Sequence, residues 1–311
     1  MKKALFSFIV LGMMLSLEST AQIQLKTTYI GTSKFKDEKD EYTGGKGEAR
    51  IYQGGINIPV SMKLNEENRP TAWMVGLSGL YASLENTGTF EEALLSDIYN
   101  AQVAVSHLRP LNTKWSLLVS LGVGVYTDDL ATMGADNLLG QGGVIFIRHL
   151  KPNLEIGGGA ALSSIFGYPM IFPAFYFNWK TNGRFLAKIS VMNTMELSVG
   201  MKLNKLFYLH LVGEMNGMMA LVEKNGEDVI FSHRYTVFGL QPEIKLGNAL
   251  SIPITVGVTG DRYAYYQEKS LKDFFNDDPQ ENPHFRFAPY ASVALKYTFQ
   301  KKPPQGQNLT K

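Results

Sequence analysis

Acid–base chemistry in this chain would have to use five histidines, His107, His149, His210, His233 and His284, because it contains no cysteine. The missing cysteines exclude a thiol nucleophile, disulfides, thiolate metal sites and a lipid anchor on a processed cysteine. His107 follows Ser106, but neighbouring residues on a strand face opposite sides, so the two cannot act together as base and nucleophile. His210 and Glu214 share a strand face, yet four residues of extended chain hold them roughly 13 Å apart. His233-Arg234 and Asp261-Arg262 fall near the predicted outer rim and are the remaining candidates for catalysis. The acidic runs Asp37-Glu38-Asp40-Glu41 and Asp277-Asp278 with Glu281 could hold Ca²⁺ or bridge lipopolysaccharide through cations, although a solvated loop explains them more simply. No catalytic, cofactor or metal site is therefore predicted.

The other residues able to do chemistry are charges spaced to share one side of a strand. The alternation along their strands assigns Glu155, Lys188, Glu196, Lys202, His210, Glu214, Glu243, Asp261, Arg286 and Lys296 to one face, and most of them have apolar neighbours. If those neighbours meet lipid, the charges line a lumen, where mixed signs can pair or can border water.

That arrangement needs a barrel wall, and the alternation supports one. From Trp115, the residues Leu117, Val119, Leu121, Val123 and Val125 point one way, while Ser116, Ser120, Gly122 and Gly124 point the other. Met195 to Leu203 sets Met195, Leu197, Val199, Met201 and Leu203 against Glu196, Ser198, Gly200 and Lys202. Near the end of the chain, Phe287, Val293, Leu295, Tyr297 and Phe299 oppose Arg286, Ser292, Lys296 and Thr298. The pattern predicts an all-β fold: one transmembrane antiparallel up-and-down barrel of about 14 strands, with about 12 as the alternative. Connections such as Asn112-Thr113, Lys151-Pro152-Asn153 and Asn204-Lys205 are short. Those at 34–48, 85–96, 127–139 and 267–284 are longer and more polar. Short periplasmic turns and long outer loops are the expected asymmetry of such barrels, with both termini in the periplasm.

Composition and the N-terminus agree with this. Met1-Lys2-Lys3, the apolar run Ala4 to Leu17 and the small residues before Gln22 read as a signal peptide over 1–21, the barrel then occupying 22–299. Removing Lys2, Lys3 and Glu18 from 30 basic and 28 acidic residues leaves 28 against 27, so no field exists to attract nucleic acid. The expected partners are outer-membrane lipid, lipopolysaccharide and the barrel-assembly machinery. Trp73, Trp115 and Trp179 fall at one predicted edge, and with Phe207 and Phe299 they form a candidate aromatic girdle. Residues 300–311, polar and rich in Pro and Gln, read as a disordered tail.

Four features, the Ala21-Gln22 junction, Leu162-Ser-Ser-Ile-Phe-Gly167, Phe177-Asn-Trp179 and Tyr297-Thr-Phe299, carry a resemblance. The chain resembles a family of uncharacterised outer-membrane β-barrels of Bacteroidota-type bacteria. The resemblance implies a barrel over the whole mature chain and no assigned activity. The tail after Phe299 departs from the family pattern of ending at the aromatic.

Five prolines, Pro59, Pro173, Pro242, Pro253 and Pro289, fall inside predicted strands, where they cannot donate to the ladder. They imply bulges or a lateral gap in the wall. Three readings follow. The first is a passive or weakly selective channel for small solutes. The second is a transporter of lipid or hydrophobic compounds with a lateral opening, favoured by Phe172, Tyr176 and Tyr290 on inward faces. The third is a structural barrel whose loops bind a partner, with Phe274-Phe275 as a possible inward plug.

Overall fold

A computed structural model describes residues 22–299 except 38, 67–68, 89–93, 164–169, 182, 192–194 and 270–282. The side chains of 170, 191 and 261 also lie outside the described residues, as do the proposed signal peptide, the tail and Phe274-Phe275. The chain forms a closed antiparallel barrel of 14 strands. Thirteen strands run in order: β1 (Gln22–Lys36), β2 (Tyr42–Leu64), β3 (Pro70–Thr87), β4 (Asp97–Pro110), β5 (Trp115–Thr127), β6 (Leu138–Lys151), β7 (Leu154–Ser163), β8 (Met170–Lys180), β9 (Phe185–Val191), β10 (Met195–Lys202), β11 (Phe207–Lys224), β12 (Glu227–Leu246) and β13 (Leu250–Glu268). A closing strand in two pieces, His284–Phe285 and Ala288–Thr298, pairs with both β13 and β1. Closure gives every strand a neighbour on both sides around the ring, which is the condition for a sheet to stand in hydrocarbon. No described helix is long and apolar enough to cross a membrane.

Side chains follow the period of two. Leu25, Leu121, Val199, Leu211, Val256 and Val293 stand exposed on the outer face, while Thr28, Ser120, Ser198, Thr255 and Ser292 are buried inside. Gln22 pairs with Thr298, so the described chain starts and stops at one end of the barrel, the terminal end, which also carries the short turns. Trp73, Trp115, Trp179, Phe207 and Phe299 lie toward that end, with Trp73 stacked on His107 at 4.3 Å and Arg148 over Trp115 at 5.7 Å.

The opposite, far end departs from expectation. Most of 34–48 is strand, not loop: β1 runs to Lys36 and β2 resumes at Tyr42. β11 and β12 extend to a two-residue turn at Asn225-Gly226, where both residues take positive φ (57° and 83°). Continuous cross-strand pairing, from Val222↔Val229 to Lys224↔Glu227, explains the extension, because it satisfies backbone groups that a loop would leave to water.

The prolines open no gap among the described residues. Pro59 sits at a bulge, which absorbs the missing donor. Pro173 pairs in register with Ala160, Pro242 with Leu209, Pro253 with Glu243 and Pro289 with Val258.

Wall height is uneven. β2 has 23 residues and β12 has 20, but β9 has 7 and β10 has 8. A membrane strand needs about 9–11. Pairing of β10 with β11 stops at Met195↔Met215, so β11 continues for nine residues, Asn216 to Lys224, with no β10 partner.

Candidate functional site

The lumen is the concave site this fold creates. Its far half is closed by the unpartnered stretch of β11 with the facing part of β12. Met218 to Val222 and Val229 to Tyr235 are buried residue after residue, so both faces of this hairpin meet protein and it cannot simply be wall. Two carbonyls on its free edge find side-chain donors across the barrel. Asn137, in the 3₁₀ turn between β5 and β6, donates to Leu221 O at 2.6 Å. Asn100 of β4, with its amide oriented to satisfy both atoms, donates to Met219 O at 2.9 Å. In a ring of fourteen, β4 and β11 lie diametrically opposite, so these bonds span the mouth. An edge that lost its neighbour has folded inward and met its hydrogen-bonding needs there. Ile30, Phe35, Ile51, Ile98 and Tyr290 pack around it as an apolar core.

A chamber of about 250 Å³ lies next to this closure, bordered by Met218 and Tyr235. Its other lining is neutral and rich in carboxamides: Gln22, Gln24, Gln53, Asn57, Asn100, Gln102 and Asn216. Amides offer donors and acceptors without charge, so the chamber can solvate an uncharged polar molecule.

Two pairs of the charged residues singled out from the sequence meet each other, Lys188 with Glu196 and His210 with Glu243, while Glu214 and Glu155 find other partners. Lys26 of β1 reaches across to Glu214 of β11 at 3.2 Å, with both side chains largely buried. Lys188 donates to Glu196 at 2.6 Å. His210 lies 3.5 Å from Glu243, which is 3.8 Å from Lys245, and 3.2 Å from Ser198 Oγ. Lys202 is exposed beside the Tyr208 ring at 5.6 Å. Lys296 lies on the inner face and acts electrostatically on Glu196.

Arg286 is not a lumen residue. The closing strand breaks at Arg286-Phe287, which turns the side chain out to the exposed far rim, where it donates to Tyr42 OH at 2.5 Å. Next to it, Lys36 donates to Asp40 at 2.5 Å, and that bond holds the Asp40 carboxyl below its ordinary value. The Asp261 side chain lies outside the described residues.

Glu155 belongs to a tighter array. Its Oε1 meets His149 Nδ1 at 2.8 Å, and its Oε2 accepts from Tyr176 OH at 2.7 Å and from Asn178 Nδ2 at 3.2 Å. The other ring nitrogen of His149, Nε2, is 2.8 Å from Ser116 Oγ. Ser116, His149 and Glu155 come from β5, β6 and β7, three consecutive strands whose inner faces align. Sequence reasoning missed this array because it looked for partners along one strand, whereas here the partners sit across the ladder. Among the described residues, no group of three His, Asp or Glu side chains converges to hold a metal ion.

A family model for a domain of unknown function, DUF6268, matches residues 17–298. The chain belongs to the DUF6268 family. No curated protein matches this DUF6268 chain. Among solved structures it is similar to the COG4313 outer membrane channel from Pseudomonas putida F1, with 8% identity over 91% of this chain and 97% of that one, at a TM-score of 0.45. It is also similar to a Pseudomonas aeruginosa FadL homologue, with 10% identity over 91% of each chain and a TM-score of 0.43. A third likeness is to the translocator domain of autotransporter NalP from Neisseria meningitidis, with 14% identity over 90% and 89% and a TM-score of 0.35. All three TM-scores lie below 0.5, so these likenesses say nothing about what the DUF6268 barrel does.

Proposed function

We propose that this barrel stands in the bacterial outer membrane, with its terminal end in the periplasm and lipid and lipopolysaccharide around it, and carries small solutes through a lumen gated by the β11–β12 hairpin. The seating of the free β11 edge on Asn100 and Asn137 carries the reading. Two neutral hydrogen bonds, each worth about 0.5–1.5 kcal/mol net, seat the edge, and the apolar core around the hairpin adds to the closure, so openings should be rare and brief. The carboxamide chamber then favours uncharged or weakly charged solutes, because an ion entering it would lose hydration and meet an uncharged lining.

Single-channel conductance in a planar bilayer tests the gate. The wild type should be closed most of the time with brief openings. Asn100→Ala/Asn137→Ala should lengthen the openings, and removal of 219–232 should give stable ohmic steps. A truncated barrel that folds, by its heat-modifiable gel mobility, but stays silent would refute the conduit and favour a structural role.

A second reading rests on the outer wall. A groove of about 620 Å³ on the lipid face, lined by Leu25, Val103, Val123 and Leu138, shares Gly54, Gly55, Ile56, Leu77, Ser78 and Gly79 with the chamber. Only a strand's thickness separates lipid from lumen there, as lateral transfer of a hydrophobic compound would need. Transfer of an apolar fluorescent probe from vesicle to lumen, slowed by Gly79→Leu, would favour this route over the axial one.

A further inference from the structure

We propose that Ser116, His149 and Glu155 form a nucleophile, base and orienting carboxylate able to cleave a small carboxylic ester that enters from the terminal end. This goes beyond transport and does not depend on the hairpin opening.

The hydrogen bonds assign the roles. An ionised Glu155 carries no proton, so His149 Nδ1 must be the donor in their 2.8 Å contact. In the neutral ring Nε2 then carries the lone pair, and it faces Ser116 Oγ at 2.8 Å, placed to take the hydroxyl proton. Tyr176 and Asn178 fix Glu155 in turn, so each member is oriented by the next. Leu118 and Ile147, both almost fully buried, flank Ser116 and limit where its hydroxyl can turn. His149 and Glu155 keep 23% and 27% of their side-chain surface exposed, which leaves the base open to the lumen.

The chemistry balances with water as the only co-reactant. As Ser116 Oγ bonds to the ester carbonyl carbon, its proton passes to His149 Nε2. The ester C–O bond then breaks, and the leaving alkoxide takes that proton. Water, deprotonated by the same nitrogen, attacks the acyl-Ser116 carbonyl, and collapse returns the proton to Oγ and frees the acid. The N–H groups near Ser116 lie in the β4–β5–β6 ladder, so oxyanion stabilisation falls to side chains and water. A dedicated oxyanion donor is worth about 10²–10³ in kcat, so turnover should be slow and acylation the clearer readout.

Chance proximity is less tidy elsewhere in the same lumen. Ser198, His210 and Glu243 make a similar set, but at 3.2 and 3.5 Å, and His210 Nε2 has no partner in good hydrogen-bond geometry among the described residues. That set serves as the internal control.

The experiment is covalent labelling of the full mature barrel in detergent with a small alkyl fluorophosphonate, followed by peptide mass spectrometry, with p-nitrophenyl acetate hydrolysis alongside. The expected result is a single adduct on Ser116, abolished in Ser116→Ala, slowed by about 10²-fold or more in His149→Gln, and unchanged in Ser198→Ala. Heat-modifiable mobility confirms that each variant is folded, and a merely structural network would give no adduct. Three results would overturn the proposal: no adduct on the wild type, an adduct on another residue, or labelling of folded His149→Gln at the wild-type rate.

Discussion

The Lys26–Glu214 pair tests whether this lumen is dry. The two groups sit on β1 and β11, four strands apart around the ring, and meet at 3.2 Å with 12% and 17% of their side chains exposed. At an effective dielectric near 20, opposite unit charges at that separation attract by about 5 kcal/mol. Most of that attraction offsets desolvation, so replacing both charges should cost little. Removing one leaves the other buried and uncompensated, at about 3–5 kcal/mol. Lys26→Met should therefore destabilise the barrel by that amount, Glu214→Gln by somewhat less because the amide still hydrogen-bonds, and Lys26→Met/Glu214→Leu should recover most of the loss. The assay is equilibrium urea unfolding in lipid vesicles, followed by tryptophan fluorescence and analysed as a double-mutant cycle. If Lys26→Met costs less than about 1 kcal/mol and the double variant shows no recovery, the pair behaves as an exposed one. Water would then fill the lumen, and the closure argued from the β11–β12 hairpin would fail with it.

Two further tests address the wall. A Cβ on Gly47 would stand 2.5 Å from Asn86 Oδ1 and 2.6 Å from the Phe285 ring, while Gly47 O accepts from the buried Arg262, so Gly47→Ala should cost about 1–3 kcal/mol in the same unfolding assay. Trp73, Trp115 and Trp179 should be quenched more by nitroxide at the lipid headgroup than at mid-chain, and the reverse order would displace the girdle from the interface.

Period-2 alternation, turn residues and hydropathy are local, and they were enough to read the all-β class and a barrel of about 14 strands. Leu121 goes out and Ser120 goes in whatever strand lies beside them, because neighbouring Cβ atoms always point to opposite sides. Arg286 escaped that rule because a break in the closing strand, invisible in the alternation, turned it to the rim. The long loops expected at 34–48 became strand because pairing, not polarity, decides where a hairpin ends.

Which residues meet was settled by register and closure. Ser116, His149 and Glu155 are separated by 33 and 6 positions, and only the β5–β6 and β6–β7 registers bring them within 2.8 Å of one another in turn. Asn100 and Asn137 are unremarkable as sequence. They became the seat of the hairpin because β10 is too short to cover the edge of β11, and a free edge must find its hydrogen bonds somewhere. Within an unbroken strand the chain by itself determines which face a side chain takes, since that is set over two residues. The tertiary structure decides which charges cancel, which amides share a chamber and what closes the bore, since those are set by contacts across the ring.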